Sequence, residues 1–127
     1  MPLYRCTTSE GDLDDAQRAA IAEAFTIIHC TTTGAPRTFV HVQFHHHRPG
    51  ENAGRCVLHA GIRAGRDREI ADTLIARCIA AVSGIAGIAA DRIEMRTSAT
   101  PASWILEGGR VLPEPGEEAA WVAERPH

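Results

Sequence analysis

The stretch CVLHAGIRAGRD, residues 56–67, predicts the fold, because a buried strand, a tight turn and the start of a helix follow one another in it. Residues 56–62 are mostly apolar on both faces, as in a strand buried inside a sheet. Residues 63–66, RAGR, are typical of a turn, and Asp67 is a suitable N-cap. Apolar side chains then recur at helical spacing over 70–82, which predicts an amphipathic helix.

The same order of elements occurs earlier in the chain. A strand is predicted over 3–7, and Asp14 is the expected N-cap of a helix that ends by Gly34. A second strand is predicted over 38–44, with Val40, Val42 and Phe44 on one face. The later unit closes in the same way, since its helix is expected to end near Gly84 and a strand to follow over 93–97.

These two β-α-β units, about residues 2–44 and 55–97, predict a single α/β (α+β) domain over 1–127. Strands joined through a helix are normally parallel, so the expected product is a four-stranded sheet with both helices on one face. The bare opposite face and an aromatic content of only 5% indicate that subunits cover one another in an oligomer.

The remaining residues, about 101–127, are rich in glycine and proline. Apolar pairs flanking Gly108-Gly109 predict a small hairpin. The tail that contains Trp121 is expected to pack on a neighbouring subunit or to fray.

Composition excludes several classes of function. The net charge of −3 argues against a nucleic-acid or anionic-membrane partner, and no apolar run approaches a membrane span. With no signal peptide in view, a cytoplasmic location is expected. All 13 basic residues are arginine, which excludes lysine general bases and Schiff-base lysines. The remaining amine is the N-terminus, which would belong to Pro2 once Met1 is removed.

Cysteines and histidines do not form a metal motif. The cysteines, at 6, 30, 56 and 78, form no C-x-x-C pair and are predicted to be small buried side chains without disulfides. The run His45-His46-His47 contains no acidic residue, and adjacent strand side chains point to opposite faces. An exposed loop or a histidine-lined pore is therefore favoured over a metal site, and no metal is predicted.

Four segments together resemble the tautomerase superfamily, and more closely its cis-3-chloroacrylic acid dehalogenase family. They are residues 2–4 after the initiating methionine, AFTIIH at 24–29, GIRAGR at 61–66, and 101–116, which contains ILEGGR and LPEPG. Their order and spacing cover the chain from Pro2 to about Trp121. The resemblance implies the tautomerase fold, a homotrimer with active sites near subunit boundaries, and no cofactor.

The resemblance also implies roles for individual residues. The family's catalytic proline falls on Pro2, its substrate-binding histidine on His29, and its water-activating glutamate on Glu107. Its two carboxylate-binding arginines fall on Arg63 and Arg66. Arg96 stands where the family has a water-activating tyrosine, which puts efficient dehalogenation in doubt.

Elementary chemistry supports these roles and leaves alternatives. A neutral Pro2 nitrogen is a competent general base near pH 7, and two arginines across a tight turn can hold one carboxylate, each contact contributing roughly 1.5–3 kcal/mol. Each residue also has an interpretation without a catalytic role. His29 would only cap its helix, the two arginines would form a solvated patch, and Glu107 would lie on the surface. Arg96 either adds a third cation for a dicarboxylate or pairs with Glu107 and quenches it as a base.

The sequence therefore predicts a cofactor-independent tautomerase that acts on a small 2-keto or enol carboxylic acid. One alternative is a hydratase or dehalogenase for 3-haloacrylate or acetylenic acids, with protonated Pro2 as acid and Glu107 activating water. A decarboxylase side activity is possible in the same site. The alternative from a different class is a non-catalytic trimeric protein that binds small anions.

Overall fold

The computed structural model describes residues 1–124. Its strands and helices alternate in the predicted order. They are β1 (Leu3–Thr8), α1 (Asp15–Thr33), β2 (His41–His46), β3 (Cys56–Arg63), α2 (Arg68–Ala86), β4 (Ile93–Thr100), β5 (Leu106–Glu107), β6 (Arg110–Val111) and α3 (Glu118–Ala123). Single turns of 3-10 helix lie at Arg37–Phe39, Ala90–Arg92 and Ala102–Trp104.

The four long strands form one sheet in the order β2-β1-β3-β4. Pairing is parallel within each unit, β1 with β2 and β3 with β4, and antiparallel between β1 and β3 where the units meet. Helices α1 and α2 pack against each other and so share one face of the sheet. This confirms the predicted tandem β-α-β architecture.

Local signals explain most of the element ends. Asp14 and Gln17 form a reciprocal capping box at the start of α1, and Gly34 ends that helix with φ at 78°. The predicted end of α2 near Gly84 is wrong: the helix continues to Ala86, and Gly87 supplies the left-handed residue that stops it. Gly84 lies in open space and at this position only lowers helix propensity, so packing of the apolar face prevails.

The predicted strand ends also shift. Pro36 starts a 3-10 turn over Arg37–Phe39, so β2 begins at His41 instead of residue 38. Strand β4 runs three residues beyond the predicted 93–97, because its backbone stays paired with β3 as far as Arg63. Both shifts occur at the edge of the sheet that carries the candidate site described below.

The core lies between the sheet and the two helices. Its largest fully buried side chains include one inward residue from β1, two from α1 and one each from β3 and α2: Tyr4, Ile21, Phe25, Leu58 and Leu74. Three of the four cysteines are buried, Cys30 is partly buried, and all four are free. The prediction that the cysteines are buried hydrophobes is therefore confirmed for Cys6, Cys56 and Cys78.

The opposite face of the sheet is polar and is not covered by residues 1–124 of the same protomer. The register places Gln43, Arg5, His59 and Arg96 side by side across the four strands. His41 and His45 lie on the same face of β2, while His47 donates from a ring nitrogen to the carbonyl of Arg55 at 2.9 Å. In the described range there is no cluster of three His, Cys, Asp or Glu side chains that could hold a metal.

The C-terminal segment folds back onto the protomer. Strands β5 and β6 pair antiparallel around Gly108-Gly109, which confirms the predicted hairpin. Trp121 does not fray, because its ring meets Phe39 edge-on at 5.4 Å and its indole N–H donates to the carbonyl of Val111. Packing of the tail on a neighbouring subunit stays a prediction. Residues 125–127 of the predicted tail lie outside the described residues. Among the helices described, none is long and apolar enough to span a bilayer.

Candidate functional site

The N-terminal end of the chain is fixed at one edge of the sheet. Pro2 is fully buried just before β1, and its carbonyl accepts a hydrogen bond from the backbone N–H of His41 at 3.0 Å. The terminal ammonium, which here belongs to Met1, forms an ion pair with Glu107. Pro2 is therefore held one residue away from a carboxylate.

Glu107 reaches the N-terminus because the β5–β6 hairpin turns tightly beside it. Gly108 and Gly109 both have positive φ, 58° and 77°, which side chains other than glycine rarely adopt. Glu107 also lies 3.4 Å from Nε2 of His41, measured to Oε1. An amine, a carboxylate and an imidazole thus meet at one point.

A cavity of about 530 Å³ opens beside this meeting point. Its aromatic wall is formed by Phe39 and Trp121, and the Arg110 guanidinium stacks 4.2 Å above the Trp121 ring. The lining residues are Thr38, Phe39, His41, Glu107, Gly108, Arg110 and Trp121. This volume suits a small organic ligand.

His29 comes from the end of α1 and is only 1% exposed. The Tyr4 hydroxyl lies 2.8 Å from its Nδ1. Burial first, then the positive charges of Arg66, Arg63 and the chain N-terminus, lower the pKa of His29 to about 3. The imidazole is therefore neutral at physiological pH, and these charges lie close enough to act on it.

Arg63 and Arg66 project from the end of β3 and the turn after it, where Gly65 has φ at 103°. Both terminal nitrogens of Arg63 donate to protein groups, one to the carbonyl of Pro113 and the other to Glu118, both at 2.7 Å. Arg66 makes one long hydrogen bond, 3.4 Å from Nη1 to the carbonyl of Thr33. The turn thus brings both guanidiniums to one buried cluster, but Arg63 is hydrogen-bonded more strongly to protein groups than Arg66 is.

Arg96 is not brought to this cluster within one protomer. Its side chain is 77% exposed on the open face of the sheet and donates to Glu94 at 2.8 Å. Within the described residues of one protomer its acidic partner is Glu94, so the alternative in which Arg96 pairs with Glu107 is not seen there. A contribution of Arg96 as a third cation stays a prediction.

Three residues of this cluster were not singled out as site residues from the sequence. Tyr4 is named only within the segment of residues 2–4 that resembles the family, and His41 is only one of several histidines near the run at 45–47. Glu118 had no signal, because it pairs with Arg63 across 55 positions of chain. Residues that are so far apart in the sequence meet only in the folded chain, so no local sequence pattern predicts their contact.

Together the cluster has the groups needed to bind an anion and move a proton. The guanidiniums and the neutral imidazole are buried together, and Arg63 contacts Phe39. Phe39 in turn lines the cavity, beside which Glu107 pairs with the N-terminal nitrogen. Guanidiniums bind carboxylates and stabilise charge that develops beside them. Amines and carboxylates accept and return protons.

The chain belongs to a tautomerase family. Residues 1–125 match the family model described as "Putative oxalocrotonate tautomerase enzyme". The crystal structure of N1, a member of the cis-3-chloroacrylic acid dehalogenase family, superposes with a TM-score of 0.91 at 28% sequence identity, covering 98% of this chain and 92% of that one. The family assignment and the tautomerase fold predicted from the sequence are thereby confirmed.

Two more distant structures share the fold. The Q0 fused 4-OT symmetric trimer has a TM-score of 0.76 at 20% identity, covering 97% of this chain and 99% of that chain. Malonate semialdehyde decarboxylase, for which decarboxylase and hydratase activities are described, has a TM-score of 0.73 at 19% identity, covering 94% and 98%. No curated protein matches this chain in sequence.

Proposed function

We propose that the protein is a cofactor-independent tautomerase that interconverts the enol and keto forms of a small 2-keto carboxylic acid. The observation that carries the proposal is the position of the chain's N-terminus, paired with Glu107 at the wall of a ligand-sized cavity. Removal of Met1 places a secondary amine at the start of β1 in the same region. Family membership supports an enzymatic role for that nitrogen.

In the proposed reaction, the neutral Pro2 nitrogen removes the proton from the enol O–H. The resulting prolinium ion delivers that proton to C3, which completes the ketone and restores the base. The arginine cluster binds the carboxylate and stabilises the negative charge on the adjacent enolate. His29, neutral because its pKa is lowered to about 3, contributes a hydrogen bond without repelling the arginines.

Ketonisation of phenylenolpyruvate, followed by ultraviolet absorbance, tests this function. Pro2→Ala is expected to lower kcat/KM by roughly 10²-fold or more, the range of a lost general base. Pro49→Ala, at an exposed loop position, serves as the matched control and is expected to retain full activity. Intact mass must first establish that Met1 is absent from the wild type and both variants. Full activity in Pro2→Ala would refute the role of Pro2.

A second candidate activity is hydration of a 3-haloacrylate or an acetylenic acid. It is supported by the 3.4 Å approach of His41 to Glu107, because an imidazole can hold a carboxylate in place for activating water. Prolinium would then protonate carbon while Glu107 removes a proton from the attacking water. Release of halide from cis-3-chloroacrylate measures this activity, and its absence would exclude dehalogenation.

We further propose that the active assembly is a homotrimer. The polar sheet face left open in one protomer, with Arg5, His59 and Arg96 in a row, is available to neighbouring copies. Light scattering is expected to give about 41 kDa, three times the 13.7 kDa of the chain. A monomeric mass would contradict this, and binding of carboxylates without any turnover would favour the non-catalytic alternative.

A further inference from the structure

Glu118 is a buried carboxylate fixed from several sides. Its Oε1 accepts from Nη2 of Arg63 at 2.7 Å, and its Oε2 accepts from the backbone N–H of Gly116 at 2.9 Å. Burial alone would raise its pKa, but the hydrogen bonds from Arg63 and the backbone prevail and lower it. Glu118 is therefore ionised and held in one position.

Each terminal nitrogen of Arg63 already donates to a protein group while Glu118 is in place. Nη2 is bound to Glu118 and Nη1 donates to the carbonyl of Pro113 at 2.7 Å. The guanidinium carbon also lies 5.5 Å from the centre of the Phe39 ring. Arg63 is thus a fixed structural cation whose charge is offset by Glu118.

Arg66 is in the opposite situation. Its Nη2 is 3.7 Å from Glu118 Oε1, too far for a hydrogen bond, and is buried without a hydrogen-bond partner among residues 1–124. An unsatisfied buried donor costs folding free energy, and a bound oxygen would remove that cost. Of the two arginines, Arg66 is therefore the one with a buried terminal nitrogen that has no protein partner and can take a ligand oxygen.

The charges of Arg63, Arg66 and Glu118 sum to one positive unit, and the His29 that faces them is neutral. Arg96 adds no charge to this group within one protomer, because it is exposed and paired with Glu94. We propose that Glu118 is a specificity-determining residue: it cancels the charge of Arg63, positions that side chain, and so adapts the site to a monocarboxylate bound through Arg66. This inference rests on the proposed function for its choice of ligand class.

Direct binding of two four-carbon ligands tests the proposal without turnover. Butanoate carries one negative charge and succinate carries two at pH 7.5, so their Kd ratio reports the charge that the site accepts. Ligand-observed NMR on the assembled protein is expected to show that the wild type favours butanoate. Glu118→Gln raises the cluster to two positive charges and is expected to shift the Kd ratio at least tenfold toward succinate.

Two further variants separate charge from packing. Glu118→Asp keeps the charge and is expected to keep the wild-type preference, even if the shorter side chain weakens both affinities. Glu117→Gln removes an equal charge from the exposed neighbouring position and is expected to leave the Kd ratio unchanged. Thermal unfolding of each variant identifies any that do not fold. If Glu118→Gln does not fold, the wild-type Kd ratio carries the test, because a preference for succinate would overturn the proposal.

An unchanged ratio in folded Glu118→Gln would overturn the proposal, because Glu118 would then be a packing residue only. Equal shifts in Glu117→Gln and Glu118→Gln would also overturn it, since they would reflect the overall charge of the protein. Failure of both ligands to bind the wild type would remove the anion site itself. A protein with the expected preference but no ketonisation would refute the proposed function alone.

Discussion

The Tyr4 hydroxyl lies 2.8 Å from Nδ1 of His29, and both side chains are buried between the sheet and α1. Burial raises the pKa of Tyr4, so the phenol keeps its proton and is available as a donor. When the hydroxyl donates to Nδ1, the imidazole proton resides on Nε2. The pair therefore couples strand β1, which begins at Pro2, to the histidine at the end of α1.

Tyr4→Phe removes this hydrogen bond while keeping the aromatic packing on Phe25, whose ring centre lies 5.3 Å away. We expect a loss of about 1–2 kcal/mol in the free energy of unfolding, because a buried ring nitrogen loses its partner. We also expect a rise in KM for ketonisation larger than any fall in kcat, since His29 would be less well oriented. Urea unfolding and steady-state kinetics check the two effects, and unchanged values of both would contradict the role.

Stability is expected to fall as the pH is lowered below 6.5. The pKa of His29 is lowered from its usual 6.5 to about 3 in the folded protein, so between these values the unfolded chain binds the extra proton. From pH 7.5 to pH 5.0, this difference removes about 2 kcal/mol of the free energy of unfolding. Over the same pH range, the free energy of unfolding of His29→Gln should fall by about 2 kcal/mol less than that of the wild type. The exposed His46→Gln is the matched control and should behave as the wild type.

The two arginines are expected to differ in their effect on stability. Arg63→Met leaves Glu118 buried without its close partner and should cost about 3–5 kcal/mol. Arg66→Met removes a guanidinium with one long hydrogen bond and should cost much less, while still weakening butanoate binding. Combining Arg63→Met with Glu118→Leu should recover much of the stability, as urea unfolding would show. Equal costs for the two single variants would contradict this division.

Glu107→Gln separates the two candidate activities. The carboxylate is the group proposed to activate water, so hydration or halide release should fall by roughly 10²-fold or more. Ketonisation requires the Pro2 nitrogen and an anion site, so it should fall by a much smaller factor. Glu114→Gln is an exposed control on the same segment and should leave both rates unchanged. A parallel loss of both activities in Glu107→Gln would indicate a shared role at the proline.

The sequence was sufficient to predict the fold because each element carries its own local signal. Asp14 and Gly34 mark the two ends of α1, and Asp67 marks the start of α2. The end of α2 was misplaced because glycine at 84 is tolerated inside a helix whose apolar face is buried. Helix ends of this kind are decided by tertiary packing, which local patterns do not contain.

The site was predictable only where a residue lies on a recognisable segment. His29, Arg63 and Arg66 are brought to one cluster, and Glu107 meets the N-terminus. The sequence does not show how these groups pair. It predicts neither the hydrogen bond from Arg63 to Glu118 nor the approach of His41 to Glu107. These pairs form when the C-terminal segment folds back across the sheet edge, so the periodicity of apolar residues does not predict them.

That C-terminal segment contributes both acidic residues of the site, Glu107 and Glu118, within twelve positions, whereas the arginines and His29 belong to the β-α-β scaffold. The groups proposed to select charge and to activate water therefore lie on a segment separate from the strands and helices that hold the proline. A change confined to residues 106–118 would therefore replace both carboxylates without altering a residue of the four-stranded sheet or of α1 and α2.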